Sequence, residues 1–204
     1  MGVYMSNRVS NEALLEAGLT LMGQAGKPMQ KTQSGSRAML FRLESGKTVR
    51  VRTCNDHVLV VVADSPKLNA NLNIEGTDYL LIVMPEVPRT LGPVVAYCVP
   101  TTVAVKDVRK THAEWLASNP ATKGDNRTWN IWFDDAAKAG GFAKHWAKYR
   151  LGGTASVSPQ NERSSTDLLS DSRKLGDVIS VAKAKIAEAA GVSIDSVRIS
   201  VDLG

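Results

Sequence analysis

Residues 38–54, AMLFRLESGKTVRVRTC, predict two antiparallel strands joined by a tight turn. Apolar and β-branched side chains dominate both halves, and the central ESGK contains the glycine that such turns favour. In the second half, valine and threonine alternate with Arg50 and Arg52. Because successive side chains of a strand point to opposite faces of its sheet, one face of this strand is predicted to be apolar and the other cationic.

Further elements on both sides of this hairpin are predicted from similar patterns. Ser10 is placed to cap a helix, and residues 57–64, HVLVVVAD, are apolar enough to predict a central strand covered on both faces. Asn119 and Pro120 end a second helix. The remaining predictions are helices at 11–26 and 101–120, a short helix after Gly141 within 140–153, and strands at 77–86, 94–100 and 128–135.

Composition limits the class of protein. The 204-residue chain has 43% apolar residues and a net charge of +5, values that fit one globular core and permit contact with nucleic acid. No run of about 18 apolar residues is present, so no membrane partner is expected. The N-terminal residues lack the apolar stretch of a signal peptide, which predicts a cytoplasmic protein. Cys54, Cys98 and the four tryptophans are predicted to be core residues, with both thiols reduced.

The C-terminal quarter of the chain differs in composition from the rest. Residues 1–153 are predicted to form the main domain, with a polar linker at 154–172 and a helix–strand appendage at 173–204. A lone helix and strand cannot bury their own apolar faces, so the appendage is expected to pack on the main domain or on a second copy. The second arrangement would give a homodimer through residues 173–204, because an exposed terminal strand can pair with its symmetry mate.

Five segments together carry a resemblance to a known fold. Their order and spacing, over residues 10 to 150, resemble the restriction-endonuclease-like superfamily, the PD-(D/E)xK fold. The resemblance implies an α/β protein with a central mixed β-sheet flanked by helices. The segments are GKTVRVRT (46–53), GTDYLLIVMPE (76–86), VVAYCVPTTVAVKDVRKTHAEWLA (94–117), TKGDNRTWNIWFDD (122–135) and FAKHWAKYRL (142–151).

This chain departs from the superfamily at each catalytic position. Nucleases of that kind hold Mg²⁺ with an Asp from the first hairpin strand and a Glu or Gln, followed two residues later by Lys, from the second. The corresponding positions are Ala38, Arg50 and Arg52. Two guanidinium groups repel a metal cation, whereas each can donate two parallel hydrogen bonds to a phosphate. The resemblance therefore implies a degenerate member that needs no cofactor and does not cut DNA.

Basic and amide side chains on the hairpin and in the loop before residue 128 are candidates for binding nucleic acid. Cations can hold phosphates, and the loop places them beside a tryptophan on which a base could stack. An ordinary solvated sheet face would show the same charges, and that alternative stays open. The candidates are Arg37, Arg42, Lys47, Arg50, Arg52, Lys123, Asn126 and Arg127.

Three functions are compatible with these patterns. The leading one is a non-catalytic DNA-binding protein that acts as a regulator or accessory factor in DNA maintenance or transfer. The second is a Mg²⁺-dependent DNA nuclease with a rearranged acidic site, and the third is a protein–protein adaptor for which the fold is only a scaffold. The acids available to the second are Glu44, Asp56, Asp64, Glu75 and Asp78.

Overall fold

The computed structural model describes residues 8–32, 39–121, 126–134 and 141–158. All of them belong to one unit, Met1–Pro159. Arg37, Ala38, Lys123 and the predicted appendage at 173–204, with the homodimer contact assigned to it, lie outside the described residues. Of the helices that are described, none combines the length and the apolar character that crossing a membrane requires.

The described elements are mostly strands, and six of them follow one another between the first two helices. They are α1 (Asn11–Gln24), β1 (Met29–Lys31), β2 (Leu40–Leu43), β3 (Thr48–Thr53), β4 (Val58–Val62), β5 (Tyr79–Pro85), β6 (Gly92–Pro100), α2 (Thr101–Ser118), β7 (Thr128–Trp132), α3 (Phe142–His145), a 3₁₀ turn (Ala147–Tyr149) and β8 (Ser156–Val157).

A mixed six-stranded sheet forms the centre of the unit, in the order β1-β2-β3-β5-β6-β8. β2 and β3 form the predicted antiparallel hairpin, with Leu40 opposite Arg50. β3 and β5 are parallel, and the other pairs are antiparallel. The expectation of an α/β protein with a mixed sheet is therefore confirmed.

The prediction that residues 57–64 form a central strand is wrong. β5 is the buried central strand, whereas β4 pairs only with β7, in a separate two-stranded sheet. Leu59 and Val61 point into the core, but Val60 and Val62 are 46% and 44% exposed. Since the exposed positions are valine as well, the sequence is apolar throughout although only one face of the strand is buried.

α1 covers one face of the six-stranded sheet. Ser10 caps it as predicted, its Oγ accepting a hydrogen bond from the Ala13 N–H at 3.1 Å. Gly18 allows close approach to β5, because a Cβ at this position would lie 2.6 Å from Cγ2 of Val83. The α1-side core is the resulting cluster and includes Leu14, Leu21, Met22, Phe41, Val49, Val51, Leu81 and Val83.

α2, α3 and the β4–β7 sheet build a second core on the other face. This α2-side core includes Leu59, Val61, Leu80, Ile82, Val108, Trp129, Phe133 and Trp146. Cys54 belongs to it and Cys98 to the α1-side core, and both are buried free thiols, as the sequence predicts. Burial raises the pKa of Cys54 to about 12, although the Arg52 charge opposes this change.

The predicted linker at 154–172 does not begin where its composition suggests. Thr154 exchanges two hydrogen bonds of 3.0 Å with the side-chain amide of Gln24, at the end of α1. β8 then pairs with the start of β6, and Val157 is buried. Residues 154–158 are thus part of the main unit. The hydrogen bonds with Gln24 and the pairing of β8 with β6 hold them there despite their polar composition. The rest of the predicted linker lies outside the described residues.

Candidate nucleic-acid interface

Three arginines share one face of the hairpin strands. In β3, Val49 and Val51 point into the α1-side core, so Arg50 and Arg52 point to the opposite face. Arg42 stands opposite Thr48, which has the same parity as Arg50, and therefore lies on that face too. We call Arg42, Arg50 and Arg52 the arginine face. The predicted cationic side of the strand is confirmed at these positions.

The guanidinium groups of Arg50 and Arg52 are incompletely satisfied. Arg50 Nη2 donates to the main-chain oxygen of Glu75 at 3.3 Å. The Nε atoms of Arg50 and Arg52 are buried and have no hydrogen-bond partner among the described residues. Burial, and then the charge of Arg50, lower the pKa of Arg52. The positive charge on Arg52 is therefore held at a cost in free energy.

Four other arginines in the described part of the chain have acidic partners. Arg8 and Arg89 bind Asp56, Arg109 binds Glu75 at 2.9 Å, and Arg150 approaches Glu86 at 3.8 Å. Within the same described ranges, none of the three guanidinium groups of the arginine face reaches a carboxylate. Three guanidinium groups without an ion pair among the described residues thus share one sheet face.

The remaining predicted binding residues are not all on this face. Lys47 lies 3.4 Å from the hydroxyl of Tyr79 and 5.4 Å from its ring centre, and Tyr79 packs against the α1-side core. Lys47 therefore belongs to the opposite face, and grouping it with the arginines was wrong. Asn126 and Arg127 precede β7, in the second sheet, where the main-chain oxygen of Arg127 accepts a hydrogen bond from Ala63.

The five acids of the nuclease alternative are used separately. Glu44 is exposed in the hairpin turn, and within the described residues no three histidine, cysteine or acidic side chains form a group that could hold a metal. The other four have partners: Asp56 binds Arg8 and Arg89, Asp64 binds Asn71 at 2.6 Å, Glu75 binds Arg109, and Asp78 accepts hydrogen bonds from the main chain and hydroxyl of Thr48 at 2.7 and 2.9 Å.

Two of these carboxylates are kept ionised by their partners. The hydrogen bond from Arg89 lowers the pKa of Asp56, with further help from the charges of Arg89 and Arg8. The hydrogen bonds from Thr48 lower the pKa of Asp78. Both groups therefore have local structural roles. Asp78 lies beside Thr48, on the same face as Arg42, but forms no ion pair with the arginines there.

A cavity of about 360 Å³ lies between α2 and β7, and the sequence does not predict it. His112 stacks between Trp115 and Trp129, with ring centres 5.9 and 4.2 Å away. Trp129 and Trp146 are core residues as predicted, whereas Trp115 and Trp132 are each 38% exposed. The spacing of His112 and Trp115 on one helix face was the available signal.

Comparisons with protein-family models, with curated proteins and with solved structures find no match to this chain. Its function is therefore inferred from the geometry of its own residues.

Proposed function

We propose that this protein binds DNA without cutting it, and that Arg50 and Arg52 hold backbone phosphates. In this role it would serve as a regulator or accessory factor in DNA maintenance or transfer. The observation that carries the proposal is the arginine face, where guanidinium groups share one surface without a carboxylate partner among the described residues.

The chemistry of the arginine face suits the phosphates of a polymer. A guanidinium group donates paired N–H bonds that match two oxygens of one phosphate. Arg50 and Arg52 are two residues apart on a strand, which separates their backbone positions by about 6.5 Å. That distance allows each of them to hold a different anionic group along a polymer.

The proposed fold family also predicts binding without cleavage at Arg50 and Arg52. We propose that α1, the β2–β3 hairpin, β5, β6 and α2 form a restriction-endonuclease-like core, and their order along the chain supports this. The separate β4–β7 sheet is a departure that such a core would have to accommodate. In such a core, arginine would occupy both hairpin positions at which a nuclease needs an acid and a lysine.

A salt titration of duplex binding tests the proposal. We expect the full chain to bind a labelled duplex, with an affinity that falls steeply as salt rises, by about 0.9 in the log–log slope for each phosphate contact. Fluorescence anisotropy at several salt concentrations measures both quantities. A chain that binds no duplex at low salt would contradict the proposal.

The nuclease alternative can be tested on the same preparation. The dispersal of the described acids predicts that plasmid DNA stays intact with Mg²⁺ or Mn²⁺ at high protein concentration. Metal-dependent nicking that EDTA abolishes would support cleavage through a rearranged site instead.

A further inference from the structure

The cavity between α2 and β7 has the composition of a site for a flat, polar-edged ligand. Its volume of about 360 Å³ falls in the range of small-molecule sites. The two tryptophans that the described fold leaves most exposed, Trp115 and Trp132, both line it. Large aromatic surfaces of this kind are a platform on which a planar ring can stack.

Two polar side-chain atoms in the cavity wall lack partners. His112 is only 6% exposed, and its Nε2 is buried without a hydrogen-bond partner among the described residues. Nδ2 of Asn126 is likewise buried and has no hydrogen-bond partner among the described residues. Burial lowers the pKa of His112, so its imidazole is neutral and presents one donor and one acceptor. Buried polar groups are almost always hydrogen-bonded, so an open cavity beside these two indicates a missing partner.

The open edge of β7 adds main-chain groups to the same wall. The Ala63 N–H bonds to the Arg127 oxygen, and the Phe133 N–H bonds to the His57 oxygen. Because bonding alternates along an antiparallel pair, Thr128, Asn130 and Trp132 turn their N–H and C=O groups away from β4. All three residues line the cavity, and β7 pairs with no other strand of the described residues.

We propose that this cavity binds a nucleobase. The base would stack on the exposed tryptophans, while its polar edge bonds to Asn126, His112 and the free edge of β7. Choosing a nucleobase over other heteroaromatic rings rests on the proposed function. The same ring chemistry occurs in a free nucleotide and in an unpaired base of a single strand, whereas a base inside a duplex is already stacked and paired.

Ligand titrations with matched variants test this site. The full chain is titrated with a deoxynucleoside monophosphate, a single-stranded oligothymidylate and a blunt duplex, followed by tryptophan fluorescence and by anisotropy of labelled DNA. The variants are Trp115→Ala and Asn126→Ala, with Lys106→Ala, exposed on the same helix, as control. Asn126→Ala keeps the main-chain oxygen that accepts a hydrogen bond from Trp129 Nε1 at 2.8 Å. This variant therefore still tests the site if Trp115→Ala does not fold.

We expect Trp115→Ala to weaken binding of the single strand at least about fivefold, and Asn126→Ala to weaken it as well. Duplex binding should be unchanged in all three variants. A parallel loss with the monophosphate identifies a free nucleotide as ligand, and binding of the single strand without the monophosphate identifies an unpaired base in a strand.

Three results would overturn the proposal: no fluorescence response to either the monophosphate or the single strand, an equal loss in Lys106→Ala, or an equal loss for single strand and duplex. Failure of the proposed function gives a different pattern. In that case the duplex is not bound, while the monophosphate still binds wild type and loses affinity in Trp115→Ala.

Discussion

At the scale of single residues, Arg52 carries a charge that no carboxylate of the described residues pairs with. Its side chain is partly buried, Arg50 lies beside it on the same face, and no described carboxylate reaches it. Folding therefore places a guanidinium where burial and a like charge both oppose its ionisation. A residue retained under such conditions is typical of a site in which stability is given up for binding.

Replacing Arg52 should accordingly stabilise the protein. Arg52→Met keeps an unbranched apolar stem and removes the desolvated charge, so we expect the free energy of unfolding to rise by about 0.5–2 kcal/mol. Urea denaturation followed by circular dichroism measures this change.

Arg109→Met is the matched control. Arg109 donates to Glu75 Oε1 at 2.9 Å and to the main-chain oxygen of Ala70 at 3.1 Å, so its loss leaves both acceptors without a donor. We expect this variant to be less stable than wild type. A loss of stability in Arg52→Met as large as that in Arg109→Met would show that Arg52 has a structural role.

The sequence predicts part of the site at this scale, through the parity of strand residues. Alternation alone is enough to place Arg50 and Arg52 on one face of their strand. The same rule assigns Lys47 to the other face, since it stands two residues before Val49, yet its charge suggested the opposite grouping. The missing hydrogen-bond partners of His112 Nε2 and Asn126 Nδ2 follow from burial, which a local pattern does not contain.

At the scale of elements, the contact between α1 and β5 depends on one glycine. Gly18 lies inside the helix, where glycine costs about 1 kcal/mol relative to alanine, and only close packing against Val83 accounts for it. Valine is stiff about χ1, so its methyl group cannot easily turn away from an added Cβ.

We predict that Gly18→Ala is destabilising by about 1–3 kcal/mol, because overpacking exceeds the gain in helix propensity. Gly23→Ala, in the same helix and with nothing within 4 Å of the added Cβ, should be stabilising by about 0.5–1 kcal/mol. Thermal unfolding of both variants measures the two changes in stability. Equal stabilisation by the two would mean that α1 does not approach β5 as closely as described.

The environment of β4 was harder to predict than that of β3, because a run of valines fits both a strand buried on two faces and a strand buried on one. The alternation within β3 mixes arginine with valine and is unambiguous, whereas β4 is valine on both of its faces. Which strand becomes central is decided by the pairing of β5 with both β3 and β6. The pairing of β3 with β5 joins segments between which β4 and a loop intervene, so no local pattern specifies it.

At the scale of the whole described unit, the two cores divide the faces of the six-stranded sheet unequally. α1 contacts β3, β5 and β6 on one face. On the other face α2 packs against β5 and β6. On that same face of the sheet, β2 and β3 carry the arginines, and the segment around Glu75 contacts Arg50. The three arginines, which form no ion pair among the described residues, therefore lie on a part of the sheet that α2 does not cover.

The most direct test of phosphate binding at this face compares two double variants that remove equal charge. In Arg50→Gln/Arg52→Gln the arginine face loses two cations, whereas Lys110→Gln/Arg150→Gln removes exposed cations next to Glu114 and Glu86. For duplex binding as a function of salt, we predict that the first variant has lower affinity and a log–log slope smaller by about 1.8, with the second close to wild type. Equal slopes and affinities for the two variants would contradict the assignment of phosphate binding to Arg50 and Arg52.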